Sequence, residues 1–523
     1  IFDEQSSGSF LFGANQDLTN SGRIREVCPD WWGAVADGTV DTGSEINAAI
    51  NSLNDNGGIV FLRAGVWHIH TQVNLKNGIT IQGVGYDRNT WVTETSVSDL
   101  SAGTWIAQDS NIKIFSIEYN GTTIKDLGFW QDHPTPGGGA YEPTAYTNYV
   151  ITYNFAEGSD RPDDSTLENL MFLNIYNAII IDDLETGTNE GAAVILLNIK
   201  GQIFNRFFRS EWNWGGINVR DVQIWPFWST NANVVADTKG RAVIFDLEIS
   251  DGAHFDTIQI YGAWAGWLFS KGRDNPGVYT DHAPDGLVLN NLQIEQLRFG
   301  IYIDADIVGG GPWRKVLISN SSFSGSEVTN SYGIYVAGDN YHISLDNVWM
   351  LLFDASAIYT ETTATGNTFF VDNAYFYAWN GLAALWPAIE MKAGNTAYIG
   401  NNVLYTGGGG VPPLVGAGTF YTSAGAVAAD VSIEAAGTIT IPPGVTGVEI
   451  TGTATITAIE GGWRHRIVTL IFVDDGNVVT VQDNANIRLA GNFVENETGH
   501  DDTLTLIGGG GGASWWEMSR SIN

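Results

Sequence analysis

Between residues 123 and 401 the sequence repeats one short pattern: an apolar alternation, a small polar corner, then a second apolar alternation. Copies read Thr-Ile-Lys-Asp-Leu-Gly-Phe (123–129), Asn-Val-Arg-Asp-Val-Gln-Ile (218–224), His-Phe-Asp-Thr-Ile-Gln-Ile (254–260), Val-Leu-Asn-Asn-Leu-Gln-Ile (288–294), Ser-Leu-Asp-Asn-Val-Trp-Met (344–350) and Phe-Val-Asp-Asn-Ala-Tyr-Phe (370–376). The corners fall at Asp126, Asn169, Asp221, Thr257, Asn291, Ser321, Asn347, Asn373 and Asn401. Successive corners close up towards intervals of about 26–30 residues, the range of stacked solenoid coils. A coil of short strands cannot bury its own apolar face; only stacking on its neighbours does so. The pattern therefore predicts an all-β chain built as a parallel β-helix, with a long flat flank suited to an extended polymer.

The acidic balance narrows the partners. The formal net charge of the 523 residues is -34, with 24 Lys+Arg against 58 Asp+Glu. Nucleic acid is not an expected partner, because phosphate binding needs clustered basic residues. Cys28 is the single cysteine, so no intrachain disulfide is expected and stability rests on packing or assembly. No apolar run is long enough for a membrane span, and the opening Ile-Phe-Asp-Glu-Gln is not a signal peptide. The absent initiator Met points to an excised or processed chain.

Residues 1–30 are polar and patternless, an extended lead-in. A helix is predicted after Asp41, with Ile46, Ala49, Ile50 and Leu53 on one face and Gly57-Gly58 ending it. Trp32-Gly-Ala-Val-Ala-Asp-Gly-Thr-Val-Asp-Thr, this helix, and Gly57-Gly-Ile-Val-Phe-Leu-Arg-Ala-Gly-Val-Trp-His-Ile together resemble the opening segment of the pectate-lyase-like β-helices of bacteriophage tailspikes and capsule depolymerases. The likeness covers residues 31–85 and departs at Arg63-Ala64, where relatives often carry proline. It implies a right-handed solenoid whose open end is capped by the helix, shielding an edge that would otherwise pair with another chain.

The solenoid is expected over 86–406, with loops inserted at 87–121, 131–163, 184–215 and 228–254. Residues 407–413, Gly-Gly-Gly-Gly-Val-Pro-Pro, read as a linker. Strand-like runs over 414–523 read as an antiparallel β-domain. Within it Arg466-Ile-Val-Thr-Leu-Ile-Phe and Trp516-Glu-Met-Ser-Arg-Ser resemble the C-terminal segment of many tailspikes, a trimer-stabilising or carbohydrate-binding region.

Aligning coils on the corner separates inside from outside. The first and third positions after it are mostly apolar and point inward; the second and fourth point outward. The second column carries Gln223, Gln259 and Gln293; the fourth carries Trp130, Trp225, Tyr261 and Glu295. Outward amides beside aromatic rings suit a sugar chain, since rings cover the apolar faces of pyranoses and amides bond hydroxyls. Trp264 and Trp267 extend the aromatic set, as do Trp212, Trp214 and Trp228 in the insertions. Equally, such aromatics lie under loops or against a neighbouring subunit, and amide ladders are often purely structural. Phe323, Trp349 and Tyr375 are expected to be outward in later coils.

Glycosidic cleavage usually takes two carboxyl groups. Glu295 is the first candidate, since aromatic neighbours would shield it from water as a general acid requires. Asp304 and Asp306 end the next strand. A second cluster is Asp246, Glu248, Asp251 and Asp256; a third is Asp182, Asp183 and Glu185. For any single carboxylate in so acidic a chain, a solvated turn is the commoner role. His254 and His282 are isolated, and His465 and His500 lack metal-ligand spacing, so no metal or cofactor is expected.

The resemblance implies a homotrimeric phage tailspike of the virion that acts outside the host cell. It would endo-hydrolyse a bacterial capsule or O-antigen polysaccharide and join the phage tail or baseplate through a preceding N-terminal region. Two alternatives stay open. A polysaccharide lyase on the same fold needs a base and cationic help at a uronate, with Arg220, Arg241, Arg298 and Arg314-Lys315 available. A binding-only adhesin needs neither.

Overall fold

The computed structural model describes the chain apart from residues 1–23, 54–56, 87–95, 101, 155–161, 183–192, 212, 214–215, 249, 251, 271–284, 305–313, 326–327, 378–386, 401, 407–412, 423–426, 429–431, 442–446, 462–466, 473–477, 496–501, 509–513 and 522–523. Asp183, Glu185, Trp212, Trp214, Asp251, His282, Asp306, Asn401, His465 and His500 thus lie outside the described residues, as does the Gly-rich stretch 407–412. Two compact units form, one up to Leu317 and one from Ile318. Both contain coils of parallel strands.

The corner residues explain how each coil turns. Asp126, Asn169, Asp221, Thr257 and Asn291 of the first unit all have left-handed backbone, with φ between 52° and 60°. Asn and Asp tolerate that region because a short polar side chain bonds locally; a β-branched residue such as Thr257 does not. The side chains also form ladders from coil to coil. Asn169 Nδ2 donates to Asp126 Oδ1 at 2.7 Å, and Asn198 Nδ2 donates to Asn169 Oδ1 at 3.1 Å. Asn198, with φ 51°, is a corner the pattern reading passed over: the stretch from Asn169 to Asp221 holds two coils rather than one.

In the second unit the corners are Asn320, Asn347 and Asn373, with φ of 50°, 54° and 47°. Asn320 replaces the expected Ser321, and one residue inverts the face of everything after it. Phe323, expected to be outward, is accordingly fully buried in the solenoid core. Trp349 stays outward at 53% exposure, and Tyr375 is half-buried beside it at 5.6 Å between ring centroids.

The helix Gly43–Leu53 forms as its pattern predicts, with Ile46, Ala49, Ile50 and Leu53 buried. Asp41 fixes its start: one carboxylate accepts from the N–H of Gly43 at 3.0 Å and from those of His70 and Thr71 on the adjacent coil. Burial disfavours ionisation of Asp41, but the Thr71 hydroxyl and these N–H donors outweigh it and hold the carboxyl below its usual range.

The inserted segment 228–254 contains a second helix, Ala232–Arg241, capped by the Asn231 side chain, which accepts from the Asn233 N–H at 2.9 Å. Val234 of this helix joins Trp130, Phe204 and Trp228 in an apolar cluster outside the solenoid interior. Trp130, outward in the corner pattern, and Trp228, of an inserted loop, are therefore both covered.

Towards the C-terminus, Ser432–Glu434, Gly447–Thr451 and Ile467–Phe472 pair in parallel. Asp502–Gly508 then pairs antiparallel with Ile467–Phe472 and with Trp515–Ser521. Val479–Val481 and Phe493–Glu495 are likewise antiparallel, while Ile487–Arg488 pairs in parallel with Trp515–Ser521, so the region mixes both arrangements. Their shared core includes Ile450, Leu470, Phe472, Phe493 and Trp515.

Candidate functional site: an outward strip on the first unit

Three strands build the flank: Ile217–Ile224, His254–Tyr261 and Leu287–Glu295. They pair in parallel with Gln223, Gln259 and Gln293 in one register row. Because each strand passes its left-handed corner at the same place, the residues after the corner keep a common facing. Gln223 Nε2 donates to Gln259 Oε1 at 3.1 Å, and Gln293 Nε2 donates to Glu295 Oε1 at 2.7 Å. The amide row thus ends on a carboxylate.

Beside it stand the aromatic side chains. Trp225 and Tyr261 lie 5.5 Å apart between ring centroids with their planes inclined by 34°. Tyr261 is the register partner of Glu295 on the next coil. All three are half-buried, with part of each surface reaching solvent.

Past Gln296, itself left-handed at φ 56°, the chain turns into Phe299–Ile303. Trp264 packs on Phe299 and Tyr302 with centroid separations of 5.1 and 5.8 Å. The Tyr302 hydroxyl donates to Asp304 Oδ1 at 3.2 Å, and Asp304 is exposed. Asp304 directly follows the five-residue strand Phe299–Ile303, past the turn at Gln296 that closes the Glu295 strand.

Trp267 is a correction. It alternates inward with Ala265 and Phe269, is fully buried, and stacks on Phe245 at 5.1 Å and 22°. It belongs to the solenoid core and cannot meet a polymer. The reason is the period of two: Trp264 precedes the strand Ala265–Phe269, and an odd step later the side chain is inside.

Asp246 and Glu248 belong to a buried ionic cluster. Arg206 Nε reaches Asp246 Oδ2 at 2.9 Å, and the Ser270 hydroxyl donates to Asp246 Oδ1 at 2.7 Å. Arg209 holds Glu248 through both Nε, at 3.1 Å, and Nη2, and its Nη2 also reaches Glu211 at 3.1 Å. Burial works against the charge of Arg209, yet Glu248 and Glu211 outweigh it and push its pKa up. Residues 206, 209 and 211 were not singled out in the sequence. Their signal was the pairing of Arg209 with Asp246 across the register, visible only once Asn198 sets the coil. Asp182, of the third cluster, reaches Lys113 at 3.7 Å.

The stacked parallel strands define a parallel β-helix. No known family profile matches the sequence, and no curated protein does. Among solved structures the chain is similar to the tailspike protein of E. coli bacteriophage HK620. A mutant in complex with a pentasaccharide shares 12% identity over 96% of this chain and 97% of that one, with a TM-score of 0.53. A second mutant, D339A in that protein's numbering, also bound to pentasaccharide, shares 11% identity over 92% of each chain, again at 0.53. At such identities the likeness shows the shared tailspike-type fold.

Proposed function

We propose that this chain is a phage tailspike that binds and endo-hydrolyses a bacterial surface polysaccharide, capsule or O-antigen, on the flank of its first unit. The observation that carries the reading is the in-register row Gln223–Gln259–Gln293 that ends on Glu295 beside Trp225 and Tyr261. Gln259, Gln293, Trp225, Tyr261 and Trp264 would line the polymer, rings on the apolar sugar faces and amides on hydroxyls. Glu295 would protonate the leaving glycosidic oxygen. The pentasaccharide held by the HK620 tailspike mutants supports a glycan as ligand. The same reading makes the chain a homotrimer of the virion, acting at the host cell surface. Exposed Phe370, Tyr398 and Tyr421 of the second unit, stacked at 5.1 and 4.9 Å, are apolar surface that subunit packing would cover.

The test is a pair of conservative variants assayed on the polysaccharide that the wild type cleaves. Glu295→Gln should abolish cleavage while retaining polymer binding. Cleavage retained by Glu295→Gln and lost in Asp304→Asn would move the reaction centre to the end of Phe299–Ile303. Arg298, stacked over Phe299 at 5.3 Å, is the cation nearest this strand among those weighed for a lyase. New reducing ends without unsaturated uronate would separate hydrolysis from elimination.

A further inference from the structure

We propose that His68, His70 and Asp109 form a binding site for a divalent first-row transition ion at the turn between the first coils. His68 ends the strand Gly65–His68, and His70 follows two residues later. Asp109 follows Thr104–Gln108, whose Ala107 is the register partner of His68. The topology thus sets an imidazole pair on one coil against a carboxylate on the next.

The three donor groups converge on one point. His68 Nε2 and His70 Nε2 are 3.1 Å apart, and the Asp109 carboxylate lies 3.3 Å from the first and 2.7 Å from the second. Protons alone satisfy this triangle poorly. If both Nε2 atoms carry hydrogen and point at Asp109, one at each carboxylate oxygen, the two N–H dipoles lie side by side 3.1 Å apart and repel. If one nitrogen is bare, its lone pair faces the carboxylate. A cation at the centre removes both conflicts. Four ligands at about 2.0–2.1 Å around zinc stand about 3.3 Å from one another, which is the scale of the nitrogen–nitrogen and longer nitrogen–oxygen edges here.

The surroundings hold the ligands in place. Asp41 accepts from the backbone N–H of His70 at 2.8 Å and of Thr71 at 3.2 Å. The Thr42 N–H and hydroxyl both donate to the His68 carbonyl, at 2.8 and 3.0 Å, and Ile69 N–H donates to Ala107 O at 3.1 Å. His68 is largely buried, and its ring makes its polar contacts through Nε2, Nδ1 having no hydrogen-bond partner. His70 and Asp109 are open to solvent, 41% and 44% exposed, which leaves room for water to complete the coordination. Two imidazoles and one carboxylate select zinc, nickel, cobalt or copper over calcium or magnesium, which prefer all-oxygen shells.

The ion would tie the turn after His68 to the coil that carries Asp109. The experiment titrates zinc into the full chain, stripped of metal and held in millimolar magnesium, by calorimetry, with thermal melting in parallel. Expected are one zinc per chain, a higher Tm with zinc, loss of both in His70→Ala, and at least a tenfold weaker site in Asp109→Asn. His70→Ala should melt like the metal-free wild type, which shows that it folds. No zinc binding by the wild type, equal binding by the variants, or displacement by magnesium would each overturn the site.

Discussion

A left-handed backbone costs an ordinary residue about 1–2 kcal/mol, and the corners of this chain test that cost one residue at a time. Thr257 is the exception among them, a β-branched residue at φ 56° whose hydroxyl accepts from Asn291 Nδ2 at 3.1 Å. Replacing it with Asn keeps the ladder and relieves the backbone, so Thr257→Asn should raise stability by about 1 kcal/mol in denaturant melts. Asn291→Ala, which keeps the strained φ and loses the bond, should lower it by about 1–2 kcal/mol. His133 gives a second residue-scale prediction. It is buried against Tyr146, Phe204 and Trp228, with Nε2 donating to the Asn174 carbonyl at 2.8 Å. Burial lowers its pKa to about 4. The folded state therefore binds fewer protons than the unfolded one between about pH 6.5 and pH 4. Its share of stability is complete above that window and falls as the pH drops through it, by up to about 1.4 kcal/mol per unit. His133→Gln should flatten the wild-type pH dependence in that window; an unchanged slope would contradict the assignment.

Strands and coils decide which side chains are available for chemistry. Tyr261 and Trp267 are both aromatic residues of adjoining strands, yet they should respond oppositely to truncation. Trp267→Ala empties core space against Phe245 and Phe255 and should cost about 3–5 kcal/mol of stability. Tyr261→Ala should leave stability nearly unchanged and weaken polysaccharide binding by about 0.5–1.5 kcal/mol, read by melting and by binding isotherms. The corner alignment made the flank legible in the sequence: Gln223, Gln259 and Gln293 are in register because the period is local and rigid. It failed where the period itself was irregular. The coils on either side of Asn198 differ in length, 29 residues from Asn169 (198 − 169) and 23 to Asp221 (221 − 198), so no fixed interval marks it, and Ser321 fits a corner as well as Asn320 because both are small and polar. Trp267 was misplaced for a related reason, since a cluster of tryptophans in sequence does not say which of them the pleat turns inward. The Arg206 and Arg209 cluster depends on contacts between coils and has no local signature. Glu248→Gln, which leaves the part-buried Arg209 to Glu211 and the more distant Asp246, should cost stability by about 1–3 kcal/mol.

At the scale of the whole molecule, the stacked coils follow from a pattern that any apolar choice of the right period would satisfy. The function does not follow in the same way, because a solenoid flank accepts many polymers and its side chains vary freely. The charge of -34 favours solubility and disfavours polyanions as ligands. Assembly is open to direct measurement: light scattering after size exclusion should give three times the chain mass, and Tyr398→Lys should reduce that mass if the stacked ring face is buried between subunits. Cleavage of a surface polysaccharide at Glu295 can be checked by incubating the protein with purified polysaccharides from a panel of bacterial strains and analysing the products by mass spectrometry. Oligosaccharides with new reducing ends are expected from one polymer and none with Glu295→Gln; a polymer bound tightly by the wild type yet left intact would rule out cleavage.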